Sequence, residues 1–561
     1  MYVCTMYVHT YIAEINSIKL VAYLTVHYFD LTAQRSQFLF DEQEKIRQES
    51  EKKSKAKLLA DYFHQFSSFT SLHGISYVGD RSRYLRERFL WLILLGLVYG
   101  VCIWAASRLI SEWMNASAVI SFENRVLDVH EIPFPAITIC SSNKVRPSFV
   151  NLTELILKPN RTSHESDILS LAFQVCFMSM QPNASKFLNK RIVDLYTDLG
   201  TPNCSDTFFR LKWKTRMVPE PCELFQKVLT NKGICYVINN LPFPTLFTSA
   251  SVKMYEELQM SENLTSWYNR TLTWSLEGGY TTSELGIARV TPLRTVGSEE
   301  TLFFKLNFHI EDFDPSCLGG VKGYSLIFHS PMEIATEAHS SFAVKMDSYN
   351  MIRVEPTTQS TSANILGWPP EKRGCYLDHE KTLIYFRNYT EGNCYTECES
   401  NRSYVICGCV PLYLPRLEHM EVCGPLSTNC FEKSIGDFDN LEEYKRMCDC
   451  RPACSDIRYD VTGYSIPVNY TYIDDFPPEQ GNKDQRDNWA TVSVAFSARS
   501  FIPMQRDTVS QLHDFIGEKF LFNKSGNVNF QCLKGCELNF AREMHLHKKK
   551  PPIKRHDDHK I

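Results

Sequence analysis

Between Cys375 and Cys454 the 561-residue sequence places ten cysteines: Cys375, Cys394, Cys398, Cys407, Cys409, Cys423, Cys430, Cys448, Cys450 and Cys454. Half of the chain's 20 cysteines thus fall in a seventh of its length, a density that belongs to oxidised secreted domains and rarely to reduced cytosolic ones. The chemistry these residues can do is disulfide cross-linking. Cys394 and Cys398, four apart, would share one face of a helix, as would Cys450 and Cys454. Cys407 with Cys409, and Cys448 with Cys450, would point the same way from an extended strand. Ten cysteines can pair in about 945 ways, and a segment that runs out and folds back could pair them as a nested ladder. A disulfide-rich adhesion or growth-factor-like module would show the same density.

Elements must position these thiols outside the reducing cytosol, and the sequence supplies an anchor. Phe89 to Ser107 is 19 residues without a charge, close to the ~20 that cross the hydrocarbon core. Arg81, Arg83, Arg86 and Arg88 precede it, and Arg108 beyond it is offset by Glu112. The excess of positive charge before the span puts the amino terminus in the cytosol and the chain beyond about Trp113 outside. Asn151, Asn160, Asn183, Asn203, Asn263, Asn269, Asn388, Asn401 and Asn469 each stand two before Ser or Thr with no proline between, the acceptor pattern for glycosylation in a secreted segment. Gly96 and Gly100 make a small-residue face that could pack on another helix.

The length allows two to four domains. A net charge of −4, with no cluster of Lys and Arg interleaved with aromatics, argues against a nucleic-acid partner. No Gly-x-Ser-x-Gly, His-Glu-x-x-His or glycine-rich phosphate loop occurs, so neither enzymatic activity nor a cofactor is expected. His329, with no cysteine or carboxylate at ligand spacing, reads as a strand residue and not a metal ligand. Cys532, Cys536, His545 and His547 could be arranged around zinc, but the two histidines are closer than the usual spacing, and an unstructured tail is the expectation. No metal site is assigned. Residues 1–40 are apolar but interrupted by Glu14, Lys19, His27 and Asp30; they show neither a membrane span nor a signal peptide. Residues 41–57 read as a solvated charged helix or disorder.

The run Arg373-Gly374-Cys375-Tyr376, followed by Leu383-Ile384-Tyr385-Phe386, Asn393-Cys394-Tyr395-Thr396-Glu397-Cys398, Cys407-Gly408-Cys409-Val410-Pro411 and Cys448-Asp449-Cys450-Arg451-Pro452-Ala453-Cys454, resembles the extracellular thumb of the degenerin and epithelial sodium channel family. Within it the sequence is most similar to the insect pickpocket branch. The resemblance implies the thumb pairing Cys375 with Cys454, Cys394 with Cys450, Cys398 with Cys448, Cys407 with Cys430, and Cys409 with Cys423. Phe134-Pro135-Ala136-Ile137-Thr138-Ile139-Cys140 resembles the family's first extracellular strand and Gly233-Ile234-Cys235-Tyr236 a second motif, which implies Cys140 with Cys235. Cys176, Cys204 and Cys222 would lie in the variable finger. Cys222 resembles one half of a short bridge, but its partner's expected place, Leu211 to Trp213, holds no cysteine, so that pairing stays open, as does that of Cys317. Counting from Cys140 to Cys454 gives 16 cysteines, an even number that permits full pairing.

Trp274 to Tyr280 and Gly323 to Pro331 resemble palm segments, the latter alternating as a half-buried strand. Ala490 to Phe496 would be the last palm strand. Phe69-Thr70-Ser71-Leu72-His73-Gly74 resembles the cytoplasmic His-Gly motif, which implies a gating role for His73 and Gly74. The implied fold is an α+β membrane protein: one transmembrane helix, then a large disulfide-rich ectodomain with a β palm and helical finger and thumb. The divisions are a cytoplasmic region 1–88, the helix 89–110, the extracellular domain 111–506 with its thumb at about 375–454, and an approach 507–517 to a second helix.

From Glu518 the resemblance stops. Lys519, Asn523, Lys524, Asn527 and Asn529 would cost several kcal/mol to bury in lipid, so residues 518–561 read as a divergent polar tail and not as the Gly-rich pore helix of the family. The expected function is a subunit of a voltage-independent, ligand- or mechano-gated, amiloride-sensitive sodium channel of the plasma membrane. It would meet sodium ions, the lipid bilayer and sister subunits in a homo- or heterotrimer, and be truncated and unable to form a pore alone. The alternative is a single-pass, non-conducting surface glycoprotein that binds partners or blocks channel assembly.

Overall fold

The computed structural model of the protein describes residues 55–70, 74–176, 186–188, 202–251, 271–272, 274–280, 289–290, 292–295, 301–317, 320–436, 446–470 and 488–508. They divide into two units between Asn115 and Ala116.

The first unit is helical: α1 (Lys55–Phe69), α2 (Ile75–Gly79) and α3 (Leu85–Asn115). His64 Nδ1 bonds the Gly79 carbonyl at 2.6 Å, Asp61 pairs with Arg81, and Arg88 Nε donates to the Val78 carbonyl at 2.7 Å. Tyr77 stacks on Trp91 with ring centroids 4.6 Å apart. α3 runs past both ends of the uncharged stretch, taking Arg86 and Arg88 into its first turns. Its apolar window, Leu85–Arg108, is 24 residues with mean hydropathy 2.3; at 1.5 Å per residue that is about 36 Å, enough to cross a hydrocarbon core of about 30 Å. The window's side chains are not buried. A Cβ added at Gly96 or Gly100 would meet nothing within 4 Å, so the small-residue face is unpacked among the described residues.

The second unit is built on strands β1 (Val119–Phe122), β2 (Ala136–Ser141), β3 (Phe208–Trp213), β4 (Phe225–Thr230), β5 (Gly233–Ile238), β6 (Leu302–Asn307), β7 (Tyr324–His329), β8 (Ser341–Val344), β9 (Ser348–Thr361), β10 (Asp456–Pro467), β11 (Trp489–Phe496) and β12 (Met504–Asp507). One sheet runs β8-β7-β2-β5-β4. The other runs β1-β12-β9-β11-β6-β3, ending on the short strand Arg216–Met217, with β10 antiparallel to β9 over twelve register pairs. β9 alternates buried and half-buried positions from Ser348 to Val354, as a strand with one face on a core must. Ile137, Ile139, Leu326 and Phe328 of one sheet pack with Ile352, Val492, Val494 and Phe496 of the other. The outer face of the first sheet is covered in turn by α4 (Leu152–Leu157) and α5 (Ser163–Val175), through Leu155, Leu169 and Leu171. Thr162 and Glu165 cap α5 reciprocally, which satisfies two of its free amide groups.

The structure corrects three expectations. β7 is not half-buried: all of it but Ser325 is buried, because the first sheet has a core on both faces, and such strands lose strict alternation. Ala490 to Phe496 is a wholly buried inner strand and not the last one; β12 follows it and pairs with β1, Val119 opposite Asp507. Trp274 to Tyr280 joins neither sheet. It is a short hairpin whose Trp274 packs with Leu241 and Met332.

Candidate functional site

The thumb grows from the turn Pro370–Arg373 and the helices α6 (Glu391–Cys407) and α7 (Thr428–Gly436). The Thr390 side chain accepts from the Asn393 amide at 3.0 Å to start α6, and Gly408, at φ 73°, ends it; only glycine takes that left-handed conformation without penalty. Cys394 and Cys398 face one way from α6 and bond Cys450 and Cys448. Cys407 bonds Cys430 on α7, Cys409 bonds Cys423, and at the base Cys375 bonds Cys454 with Cα atoms 5.0 Å apart. Tyr376 makes two backbone bonds beside that rung: its amide donates to the Pro452 carbonyl and its carbonyl accepts from the Cys454 amide.

The local geometry differs from the spacing argument at three places. Cys407 is the last residue of α6, so Cys407 and Cys409 straddle a helix cap and not a strand. Cys448 and Cys450 flank Asp449 at φ 46°, again not a strand, and Cys450 to Cys454 is non-helical, Pro452 having no amide to donate. In the palm and finger Cys140 bonds Cys235, Cys204 bonds Cys222 and Cys176 bonds Cys317. The partner of Cys222 therefore lies just before β3 and not within it.

Thumb and palm meet at a polar cluster in which Glu333 is buried, His339, Glu391 and Asp456 are half-buried and Arg458 is exposed. His339 Nε2 lies 3.0 Å from Glu333 Oε2, and Arg458 bridges Asp456 Oδ2 and Glu391 Oε2, each at 2.8 Å. Asn393 Nδ2 donates to the Met332 carbonyl at 2.9 Å. Burial pushes the Asp456 carboxyl up, the Glu333 charge adding to it, and burial also raises that of Glu391. For Glu333 burial is outweighed, and the bond from His339 holds its carboxyl below the ordinary range. Gly392 opens α6 to this cluster: an added Cβ would stand 2.9 Å from Glu333 Oε1. Sequence reasoning did not find the cluster, since Glu333, Glu391 and Asp456 are brought together only by the fold. His329 lies beside it in β7, its Nδ1 on the Ser330 carbonyl at 3.0 Å and its Nε2 on Thr138 Oγ1 at 2.8 Å. Among the described residues no group of three or more His, Cys, Asp or Glu is placed to hold a metal ion.

Gly74 precedes α2 at φ 88°, and a Cβ there would come 2.6 Å from Leu95 Cδ2 of α3. His73 lies outside the described residues, as do Asn183, Asn263, Asn269, Cys532, Cys536, His545 and His547. Asn151, Asn160, Asn203 and Asn469 are exposed, while Asn388 and Asn401 are half-buried. Asn151 caps α4, and Asn401 Oδ1 accepts from Tyr385 at 2.7 Å.

Among the described residues one helix is long and apolar enough to cross a membrane, and a two-sheet unit braced by eight disulfides follows it. Residues 66–518 match the family described as amiloride-sensitive sodium channel, and the chain belongs to that family. By its description this is a family of ion channels and not of enzymes. The chain is similar to pickpocket protein 28 of Drosophila melanogaster, 25% identical over 399 residues, 70% of this chain and 62% of that protein. It therefore spans less than two thirds of that relative's length. Pickpocket protein 11 of the same species is 29% identical over 141 residues, 25% of this chain and 27% of that protein. Acid-sensing ion channel 4-B of Danio rerio is 22% identical over 484 residues, 82% of this chain and 72% of that protein.

Proposed function

We propose that the chain is a subunit of a voltage-independent, ligand- or mechano-gated, amiloride-sensitive sodium channel of the plasma membrane. Its amino terminus is cytoplasmic, its cysteine-rich unit extracellular, and its partners are sister subunits in a homo- or heterotrimer. The observation that carries this reading is the family match over residues 66–518. The arginine-rich flank before α3 supports the orientation, and the disulfide-braced thumb supports a lever that passes displacement on without bending. Gly74, and His73 beside it, tune opening: packed against Leu95, Gly74 has no room for a side chain. The exposed sequons Asn151, Asn160, Asn203 and Asn469 carry glycans, with Asn183, Asn263, Asn269, Asn388 and Asn401 as further acceptors.

The lysines and asparagines after Gly517 oppose a lipid-buried helix there, so this 561-residue chain expressed alone passes no sodium current. Voltage clamp of surface-expressed protein tests both halves. The chain alone gives no amiloride-blocked current, and a hybrid in which a Gly-rich apolar pore helix, of the kind the family resemblance implies, follows Gly517 gains one. A hybrid that reaches the surface and stays silent refutes the channel reading. It favours instead the single-pass, non-conducting glycoprotein that the polar tail also fits. A current from the unmodified chain refutes the account of residues 518–561.

A further inference from the structure

We infer that Arg506 is a positioning residue whose guanidinium clasps the base of the thumb to β12 and, through the same turn, to β1, so that these three segments move as one body. Arg506 sits on β12 with its backbone between two strands, opposite Ile120 of β1 and Thr361 of β9. The residue is 6% exposed, and its side chain turns under the thumb. Nη1 donates to the carbonyls of Arg373 at 3.0 Å and Gly374 at 2.6 Å, and with the Gln359 amide oriented oxygen-inward, Nη2 and Nε donate to it at 2.7 and 3.2 Å.

The turn it grips is itself fixed on both sides. Arg373 is wholly buried and donates to the Leu366 and Trp368 carbonyls, to Glu380 and to Cys454 Sγ of the base rung. Ahead of β1, the Ala118 amide donates to the Lys372 carbonyl at 3.2 Å. Gly374 makes the approach possible, since at φ 74° it carries no Cβ, and one would stand 2.8 Å from Arg506 Nη1. Burying a guanidinium costs several kcal/mol, and burial together with the Arg373 charge lowers the Arg506 pKa. An apolar side chain would fill the same space without that cost, so the interaction's yield is directional: five donors in a rigid fork fix where the turn lies relative to the strand. β1 follows α3 in the chain and β12 leads into residues 509–517, so the clasp joins the thumb base to the strand that follows the apolar helix and to the last described strand.

What the common movement serves rests on the channel reading; the clasp itself does not. The test is native-state hydrogen exchange of the full chain in detergent under graded low denaturant. In the wild type the amides of Ala118, Ser362 and Gly374 should open together with one denaturant dependence. Arg506→Met should lower their protection at least tenfold while leaving α6 and β2 unchanged, and Arg506→Lys should recover part of the loss. Peptide mapping that still finds Cys375 joined to Cys454 shows that a variant has folded. Independent opening of these amides in the wild type, or unchanged protection at Ala118 and Gly374 in Arg506→Met, overturns the clasp. If Arg506→Met does not fold, the wild-type coincidence and Arg506→Lys decide. A silent hybrid channel with coincident opening would sink the function and leave the clasp standing.

Discussion

A histidine with both ring nitrogens occupied has little left to offer a ligand. His329 uses Nδ1 to donate to Ser330 and Nε2 to accept from Thr138, and burial, with His339 facing it, drives its pKa down to about 3. Between that value and its ordinary 6.5 the unfolded chain binds a proton that the folded chain refuses. Stability must therefore fall as pH falls through this window, by up to about 1.4 kcal/mol per pH unit from this group. Asp456 and Glu391, with raised pKa values, act oppositely: the folded state takes up their protons first, softening the loss near the carboxylate range. Replacing His329 with Leu should lower stability at neutral pH by about 1–3 kcal/mol, the cost of leaving Thr138 and Ser330 unpaired. Thermal unfolding from pH 7 to 4.5 should also become less pH-dependent than in the wild type; equal slopes in the two proteins would refute this assignment. The sequence placed His329 on a strand and away from metal chemistry by spacing alone. It did not reveal Arg373 or Arg506, whose acceptors are mainly backbone carbonyls and so leave no side-chain pattern to read.

Elements were legible where the signal was local. The i, i+4 spacing of Cys394 and Cys398 put both on one face of α6, and the uncharged run from Phe89 located α3. The i, i+2 pairs failed because caps and left-handed residues, Gly408 and Asp449, redirect the chain between cysteines, and a spacing rule assumes a regular backbone. Two glycines separate conformational strain from crowding. A Cβ on Gly408 meets nothing within 4 Å, so Gly408→Ala should cost only the left-handed penalty, about 1–2 kcal/mol. Gly463 lies on β10 under β8, where a Cβ would stand 2.5 Å from the Met351 carbonyl and 2.8 Å from Phe342 Cε2. The carbonyl belongs to the β9–β10 ladder and cannot swing aside, so Gly463→Ala should cost about 3–4 kcal/mol. Denaturant midpoints of the two variants measure the difference, and a milder Gly463→Ala would contradict the register of β10.

Across the whole molecule the cross-links must be weighed together. Taken singly, a rung closing the 79-residue separation of Cys375 and Cys454 would restrain the unfolded chain by about 4–5 kcal/mol, and one closing the 14 residues of Cys409 and Cys423 by about 3. The ladder is nested, however. With Cys394 already joined to Cys450, the base rung closes a loop of only roughly 25 residues, worth about 3–3.5 kcal/mol. Double-serine variants at the base and at the tip should therefore lose similar stability in chemical denaturation, within about 1 kcal/mol of each other once the local packing around each pair is allowed for. A base-rung loss larger by about 1.5 kcal/mol or more would mean that the rungs act independently.

Such a ladder forms only in an oxidising compartment, so the same fold makes a statement about topology. The cysteines and the sequons are separate sequence signals, and the structure leaves Asn151, Asn160, Asn203 and Asn469 exposed. If the unit from Ala116 onward is exported, glycosidase treatment should lower the apparent mass, peptide mapping should find glycans on these four residues, and an impermeant thiol reagent should label none of the sixteen cysteines from Cys140 to Cys454 on intact cells. An unglycosylated chain whose sixteen paired cysteines label from the cytosol would reverse the orientation. The lever would then stand on the wrong side of the membrane for any extracellular signal.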